Sequence, residues 1–291
     1  MRRLLVTGAN KGIGLAIARA ILDEHPDTFV LLGARDAERG RAALSELHAQ
    51  HAGWNERSLL LELDVTSDDS VARAAQTVAQ RFGQKDALYA LVNNAGVSSD
   101  DLATTIAVNV LGVRRVSEAF APLLDRNAGR IVNVTSAAGP SFVQSCSQER
   151  QRFLLDPNIT WPALRGFLDE CLGIRDKAAF AAKGLADGNA YGLSKACANS
   201  LTLLTAREHP ALRVNACTPG FIDTDLTRSF ATAQGKSPAE LGMKPPAAGA
   251  RSTMYLLFGD PPGNGRYYGS DAQRSPLDRY RAPGDPPYVG E

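Results

Sequence analysis

Charge of either sign is scarcely in excess in this chain: 32 Lys and Arg stand against 31 Asp and Glu, a formal net charge of +1. That balance leaves no broad electrostatic footprint for nucleic acid or an anionic membrane surface, so any anion must be held locally. Cysteine is sparse. Cys146, Cys171, Cys197 and Cys217 form no CxxC pair and no close group with histidine. Reduced thiols are therefore expected rather than a disulfide framework, and no metal site. The four histidines, His25, His48, His51 and His209, fall near helix ends or loops, where surface roles are expected. No apolar stretch approaches membrane-spanning length. The run Leu4-Leu5-Val6 reaches Thr7-Gly8 too soon for a signal-peptide core. A soluble, cytoplasmic protein is expected.

What is present is a long alternation. The 291 residues, 44% of them hydrophobic, suit one large domain with a substantial core. Short apolar runs at 4–7, 28–33, 58–63, 88–92, 130–134 and 213–217 read as strands. Between them, 12–24, 36–50, 67–82, 101–124 and 189–208 read as helices, with a further helix at 245–258 and a short last strand at 265–269. The strands are continuously apolar, as when both sheet faces are covered. The rhythm implies an α/β fold: a doubly wound parallel sheet of Rossmann type. Such sheets bind ligands beyond the carboxyl ends of their strands, where Gly8, Arg35, Asp64, Asn93 and Ser136 fall. The rhythm breaks over 139–189, where Phe142, Phe153, Leu154, Trp161, Leu164, Phe167, Leu168 and Leu172 mix with charged residues. This segment reads as a helical insertion. One domain over 1–275 is expected, followed by a loose Pro-, Arg- and Asp-rich tail at 276–291.

Two segments carry chemistry. Gly8, Gly12 and Gly14 follow a strand and open a helix. Glycines there let the backbone turn tightly and approach a pyrophosphate at a helix N-terminus; an ordinary Gly-rich turn is the alternative. The spacing is G-x-x-x-G-x-G rather than G-x-G-x-x-G. Far along the chain, Tyr191 and Lys195 are four residues apart and share one face of a helix. An ammonium near a phenol oxygen favours the phenolate and brings proton exchange closer to neutral pH. Proton exchange beside a bound dinucleotide suggests hydride chemistry.

Thr7-Gly8-Ala9-Asn10-Lys11-Gly12-Ile13-Gly14, Asn93-Asn94-Ala95-Gly96, Ser136, Tyr191-Gly192-Leu193-Ser194-Lys195 and Pro219-Gly220 occur in the order of the signatures of the short-chain dehydrogenase/reductase family. The chain resembles that family over roughly residues 1–260, and its monomeric carbonyl reductase branch in Asn10-Lys11, Arg35 and the long gap between Ser136 and Tyr191. The resemblance implies a catalytic set of Asn109, Ser136, Tyr191 and Lys195. Tyr191 would be the general acid and Ser136 a hydrogen-bond donor to the substrate oxygen. Lys195 would tune the tyrosine and hold the nicotinamide ribose, and Asn109 would anchor a water-linked proton relay. It further implies cofactor contacts from Ile13, from Asp64 (adenine) and Val65, from Asn93, Ala95 and Gly96, and from Pro219, Gly220, Ile222 and Thr224 at the nicotinamide and pyrophosphate. Asp64 as a helix-capping acid and Asn93 as a purely structural residue are the plainer readings. Arg35 stands where NAD-preferring relatives of this fold carry an acid, so with Lys11 it suits a 2′-phosphate; a solvated arginine is the alternative. NADPH is the expected cofactor.

Two departures qualify the resemblance. The linker from Gly96 to Asn109 is short, which either opens the pocket on that side or displaces the helix carrying Asn109. The insertion is expected to cover a face used for oligomerisation elsewhere in the family, giving a monomer; a partner-binding module is the rival. The segment 225–242 reads as a substrate lid or a merely mobile loop, and Cys217 as a packed thiol or a site of inhibitory modification. The function expected is reduction of a small-molecule ketone, aldehyde or quinone, with no nucleic-acid or membrane partner. Still open are a non-catalytic NADP(H) sensor and an alcohol or steroid dehydrogenase working in the oxidative direction.

Overall fold

The computed structural model describes residues 1–290. Six strands run parallel: β1 (Arg2–Thr7), β2 (Thr28–Ala34), β3 (Ser58–Glu62), β4 (Ala90–Asn93), β5 (Arg130–Val134) and β6 (Arg213–Cys217). Two short strands extend the sheet: β7 (Tyr267–Tyr268), parallel to β6, and β8 (Arg274–Ser275), antiparallel to β7. The order is β3-β2-β1-β4-β5-β6-β7-β8. Strand order reverses between β1 and β4, and a crevice opens there beyond the carboxyl ends.

Helices α1 (Gly12–Glu24) and α2 (Ala37–Gln50) follow β1 and β2, and α3 (Asp68–Phe82) follows β3. The 101–124 segment, expected as one helix, is broken. It forms α4 (Leu102–Ile106), a π-helical turn (Ala107–Gly112), α5 (Val113–Phe120) and a 3₁₀ turn (Ala121–Leu123). Gly112 lets the widened turn approach the loop that follows β3: a Cβ there would lie 2.9 Å from Val65 Cγ2. On one face of the sheet Ile17, Ile21 and Leu47 pack with Leu4, Val30 and Leu32. On the other, Val71, Val78, Val116 and Phe120 pack with Leu5, Leu31 and Leu91.

After β5 come α6 (Ala138–Ser145), α7 (Gln148–Leu154), α8 (Trp161–Leu172), α9 (Lys177–Ala182) and the long α10 (Ala190–Glu208). Phe142, Leu154, Leu164, Phe167, Leu168 and Phe180 bury Leu193, Ala196, Leu201 and Leu204 of α10. Arg150 and Lys183 both pair with Glu170, tying α7 and α9 to α8. Ser200 Oγ donates to the Leu154 carbonyl at 2.6 Å, fixing the insertion to α10. After β6, α11 (Asp225–Ala233), α12 (Pro246–Gly249) and α13 (Arg251–Phe258) lead to the β7–β8 hairpin. The expected strand at 265–269 is only two residues long, and β8 carries too short a pattern to show in the sequence. Among the described residues beyond Ser275 there is no helix or strand, but Arg281 pairs with Asp271 and donates to Ser275 Oγ at 2.9 Å.

All four cysteines are buried and unpaired by disulfide. Burial pushes the thiols up, Cys146 to about 11 and Cys171 to about 12, with Cys197 and Cys217 raised as well. Among the described residues no helix is long and apolar enough to cross a membrane.

Candidate active site

The glycine loop begins where β1 ends. Gly8 has φ of +64°, a conformation that excludes most side chains, and a Cβ on it would sit 2.9 Å from Ala95 Cα. A Cβ on Gly14 would meet Asn94 Nδ2 at 2.4 Å and the Gly8 carbonyl at 2.5 Å. The loop is thus pressed against the end of β4. Thr7 Oγ1 accepts from the Asn94 and Ala95 N–H groups at 3.0 Å each, and Asn94 Nδ2 donates to the Thr7 carbonyl at 2.9 Å. Helix α1 then starts at Gly12 with no side-chain cap and no acid in its first turn. Its free N–H groups and positive dipole end open directly onto a cavity of about 610 Å³.

That cavity is lined by Gly8, Asn10, Lys11, Gly12, Ile13 and Gly14. Further along it are Arg35, Asp64, Val65, Ala95, Gly96 and Thr224. Arg35 is exposed at the carboxyl end of β2 and has no ion-pair partner among the described residues. Arg39, four residues on and not anticipated from the sequence, lines the same wall. Arg35 lies before the Asp36 cap of α2, so no helical spacing links the two arginines in the sequence. Asp36 caps α2 by accepting from the Arg39 N–H at 3.0 Å. Asp64 is not a helix cap. Ser67 caps α3, whereas Asp64 Oδ1 accepts from Thr66 N–H and Oγ1 at 2.9 and 2.7 Å. Oδ2 of Asp64 has no hydrogen-bond partner among the described residues. An uncapped helix start, unpaired guanidinium and half-free carboxylate fit the phosphates, ribose phosphate and base of a phosphorylated dinucleotide.

Asn93 does not line this cavity. Its amide is buried behind the strand ends, donating to Ser117 Oγ at 3.0 Å and Asn133 Oδ1 at 2.9 Å. The next residue, Asn94, is the one that faces the cavity. Alternation along β4 explains the difference, because successive side chains point to opposite faces. Ile222 is buried, its side chain near Gly249 together with Ile13 and Pro219. Gly220, with φ of +91°, packs against Ser270.

Next to Gly96 lie the residues expected to be catalytic. A Cβ on Gly96 would lie 3.4 Å from Asn109 Oδ1 and 3.5 Å from Lys195 Nζ, so both side chains converge on one point. The short linker has therefore not carried Asn109 away. Val97 N–H donates to Asn109 Oδ1 and Asn109 Nδ2 donates to the Val97 carbonyl, both at 2.9 Å. Asn109 Nδ2 also reaches Ser194 Oγ at 3.0 Å, joining the π turn to α10. Lys195 is buried, 6% exposed, and donates to the Val134 carbonyl at 3.2 Å.

The electrostatics differ from the simple expectation. The Lys195 ammonium lies over the Tyr191 ring, 5.6 Å from its centroid. Burial dominates both groups. It pushes the Tyr191 phenol up, with Ser136 acting in the opposite direction, and draws the Lys195 ammonium down to about 8. Tyr191 is thus a protonated acid at neutral pH, with Ser136 as its hydroxyl neighbour.

The segment after β6 closes on the glycine loop at Thr224, whose Cγ2 would touch a Cβ on Gly12 at 3.4 Å. Lys11 Nζ pairs with Asp225 at 2.7 Å, and Arg228 pairs with Asp223 and Asp225. Phe221 and Phe230 meet edge to face, centroids 6.1 Å apart, and are 41% and 51% exposed. Cys217 lies on the inner side of the sheet end, its sulfur 3.5 Å from Thr253 Oγ1, as a packed thiol.

The chain is similar to several known proteins. The short chain dehydrogenase family model matches residues 2–147. Carbonyl reductase (NADPH) 1 of Mus musculus is 32% identical over 276 residues, 90% of this chain and 92% of that protein. Salutaridine reductase from Papaver somniferum has a TM-score of 0.77 at 25% identity, covering 92% of this chain and 99% of its own. The NADPH-bound carbonyl reductase from chicken fatty liver shares the fold, with a TM-score of 0.66 at 22% identity, covering 94% of this chain and 98% of its own.

Proposed function

The chain belongs to the short-chain dehydrogenase/reductase family, and from that premise we propose that it reduces ketones, aldehydes or quinones to alcohols, with Tyr191 delivering the proton. The enzyme is NADP-dependent, and NADPH, when bound, supplies the hydride that reaches the carbonyl carbon. The chain does the rest. Ser136 donates a hydrogen bond to the substrate oxygen and stabilises the charge that develops there. Tyr191 gives its proton to the same oxygen. Lys195 holds the ribose and offsets the phenolate as it forms, and Asn109 fixes the water that refills the proton. The first turn of α1 with Gly8, Gly12, Gly14, Asn10, Ile13 and Thr224 takes the pyrophosphate. Arg35, Arg39 and Lys11 take the 2′-phosphate. Asp64 and Val65 take the adenine, and Pro219, Gly220 and Ile222 take the carboxamide. Ala95 and Gly96 lie along the cofactor, with Asn93 bracing the strand behind them.

One observation carries this reading: Asn109 and Lys195 converge beside Gly96, and Tyr191 with its Ser136 neighbour adjoins them beyond the carboxyl ends of β4 and β5. The test is NADPH oxidation across a panel of ketones, aldehydes and quinones. Turnover of several members is expected; cofactor binding without turnover of any would instead mark a sensor. The exposed Phe221–Phe230 pair favours apolar carbonyls.

Cofactor preference gives a sharper check. Arg35→Asp should lower kcat/KM with NADPH by roughly ten- to hundredfold, the worth of a charge-assisted hydrogen bond. It should at the same time leave NADH turnover equal or higher. A wild-type enzyme using both cofactors equally well would contradict the assignment of Arg35.

We also place the protein in the cytoplasm as a monomer. Four free thiols suit a reducing compartment. The insertion buries the α10 face with Phe142, Leu164, Phe167 and Leu168, leaving only Leu172 of its large apolar side chains exposed. Sedimentation equilibrium should give a single 31.0 kDa species at every concentration; a concentration-independent dimer would refute it.

A further inference from the structure

The lid is tied to the glycine loop by an ion pair that crosses the mouth of the cofactor cavity. Lys11 is the residue before α1, and its Nζ lies 2.7 Å from Asp225 Oδ2 on the first turn of α11. Both side chains are 58% exposed, so the pair is open to exchange with a stronger anion. Asp225 has a second cation available, because Arg228 Nη1 lies 3.2 Å from its Oδ1 and also holds Asp223. The charge of Arg39, on the opposite wall, reaches Asp225 as well. Lys11, Arg35, Arg39, Asp223, Asp225 and Arg228 line one continuous rim. Asp225 is not needed to start α11, since Thr224 with Thr227 forms the capping box.

We infer that Asp225 is a specificity-determining residue that tempers the preference for the phosphorylated cofactor: it occupies Lys11 in the free enzyme, and a ribose phosphate must displace it. The inference rests on the NADPH reading above and adds a competitor to it. A phosphate dianion offers more charge and more acceptor oxygens than one carboxylate, and Lys11, with three N–H donors, follows it. Asp225 then falls back on Arg228, so release costs the lid little. A dinucleotide without the ribose phosphate brings only its pyrophosphate, which the α1 N–H groups take, and leaves Lys11 with Asp225. The carboxylate therefore weakens binding of the phosphorylated cofactor, and its removal improves that binding alone.

The experiment is fluorescence titration of NADPH and of NADH into wild type, Asp225→Asn, Lys11→Met and the double variant, at low and high salt. Asp225→Asn should bind NADPH roughly three- to tenfold more tightly and NADH with unchanged affinity. The gain should shrink at high salt and disappear in the Lys11→Met background. An Asp225→Asn protein that binds NADPH no more tightly than wild type would overturn the inference. So would a gain of equal size with and without Lys11, which would mark a general field effect instead of exchange at one ammonium. Failure of wild type to bind either dinucleotide would bring down the cofactor reading and this inference with it.

Discussion

Tyr191→Phe should lower kcat by about a thousandfold or more while NADPH affinity stays within about threefold. The change removes one oxygen. The ring that lies under the Lys195 ammonium is retained, as is the packing of α10 against α6. What disappears is the proton and the hydroxyl facing Ser136. Because burial raises this phenol, it is fully protonated at neutral pH, which is the state a reduction needs. Stopped-flow NADPH oxidation with any good carbonyl substrate, alongside a binding titration, measures both halves. Activity within tenfold of wild type would remove Tyr191 from the chemistry.

The second large effect has opposite signs for stability and activity. Lys195 ionises at about 8 in the folded protein against an ordinary 10.5, because burial disfavours its charge. Folding the charged form therefore carries a penalty. It is fully present below about pH 8 and fades as pH rises from 8 towards 10.5, where the unfolded chain loses the proton too. A shift of this size corresponds to about 3 kcal/mol. One hydrogen bond, to the Val134 carbonyl, and one ring face are all that the free enzyme sets against it. Lys195→Met should accordingly raise the urea midpoint of the cofactor-free protein at pH 7, with a gain that shrinks above pH 8. The same variant should lose at least about a hundredfold in turnover. A variant less stable than wild type at pH 7 would show that the ammonium is no net cost to the fold.

The sheet was legible because a buried parallel strand writes itself as a mostly apolar run, as β1 to β6 do even with Asn133 and Asn215 buried in β5 and β6. Helix α1 was legible to the residue, since Ile13, Ile17 and Ile21 mark one face and Gly12 marks the start. The break at 107–112 was not. A π turn needs one extra residue in the backbone path, and Ala107-Val108-Asn109 carries no letter that announces it. β8 was missed because two residues have no period. In the site, residues joined by chain position were readable: the loop glycines, Arg35 and the 191/195 pair. Those joined only through space were not. Arg39 lines the rim from a helix, Asn94 rather than Asn93 faces the cavity, and Asp225 reaches Lys11 across 214 residues. The depressed Lys195 was equally out of reach, because burial depends on neighbours contributed by β4, β5 and the π turn. Charge alone suggested an ammonium lowering a phenol; desolvation moves both groups away from their ionised forms.

Quinones are soft electrophiles that alkylate sulfur, and they do so through the thiolate. Cys146, Cys171, Cys197 and Cys217 are each shielded from solvent and held well above neutrality in their ionisation. Under the proposed quinone reduction, thiols so buried and so reluctant to ionise leave a Michael acceptor little thiolate to attack.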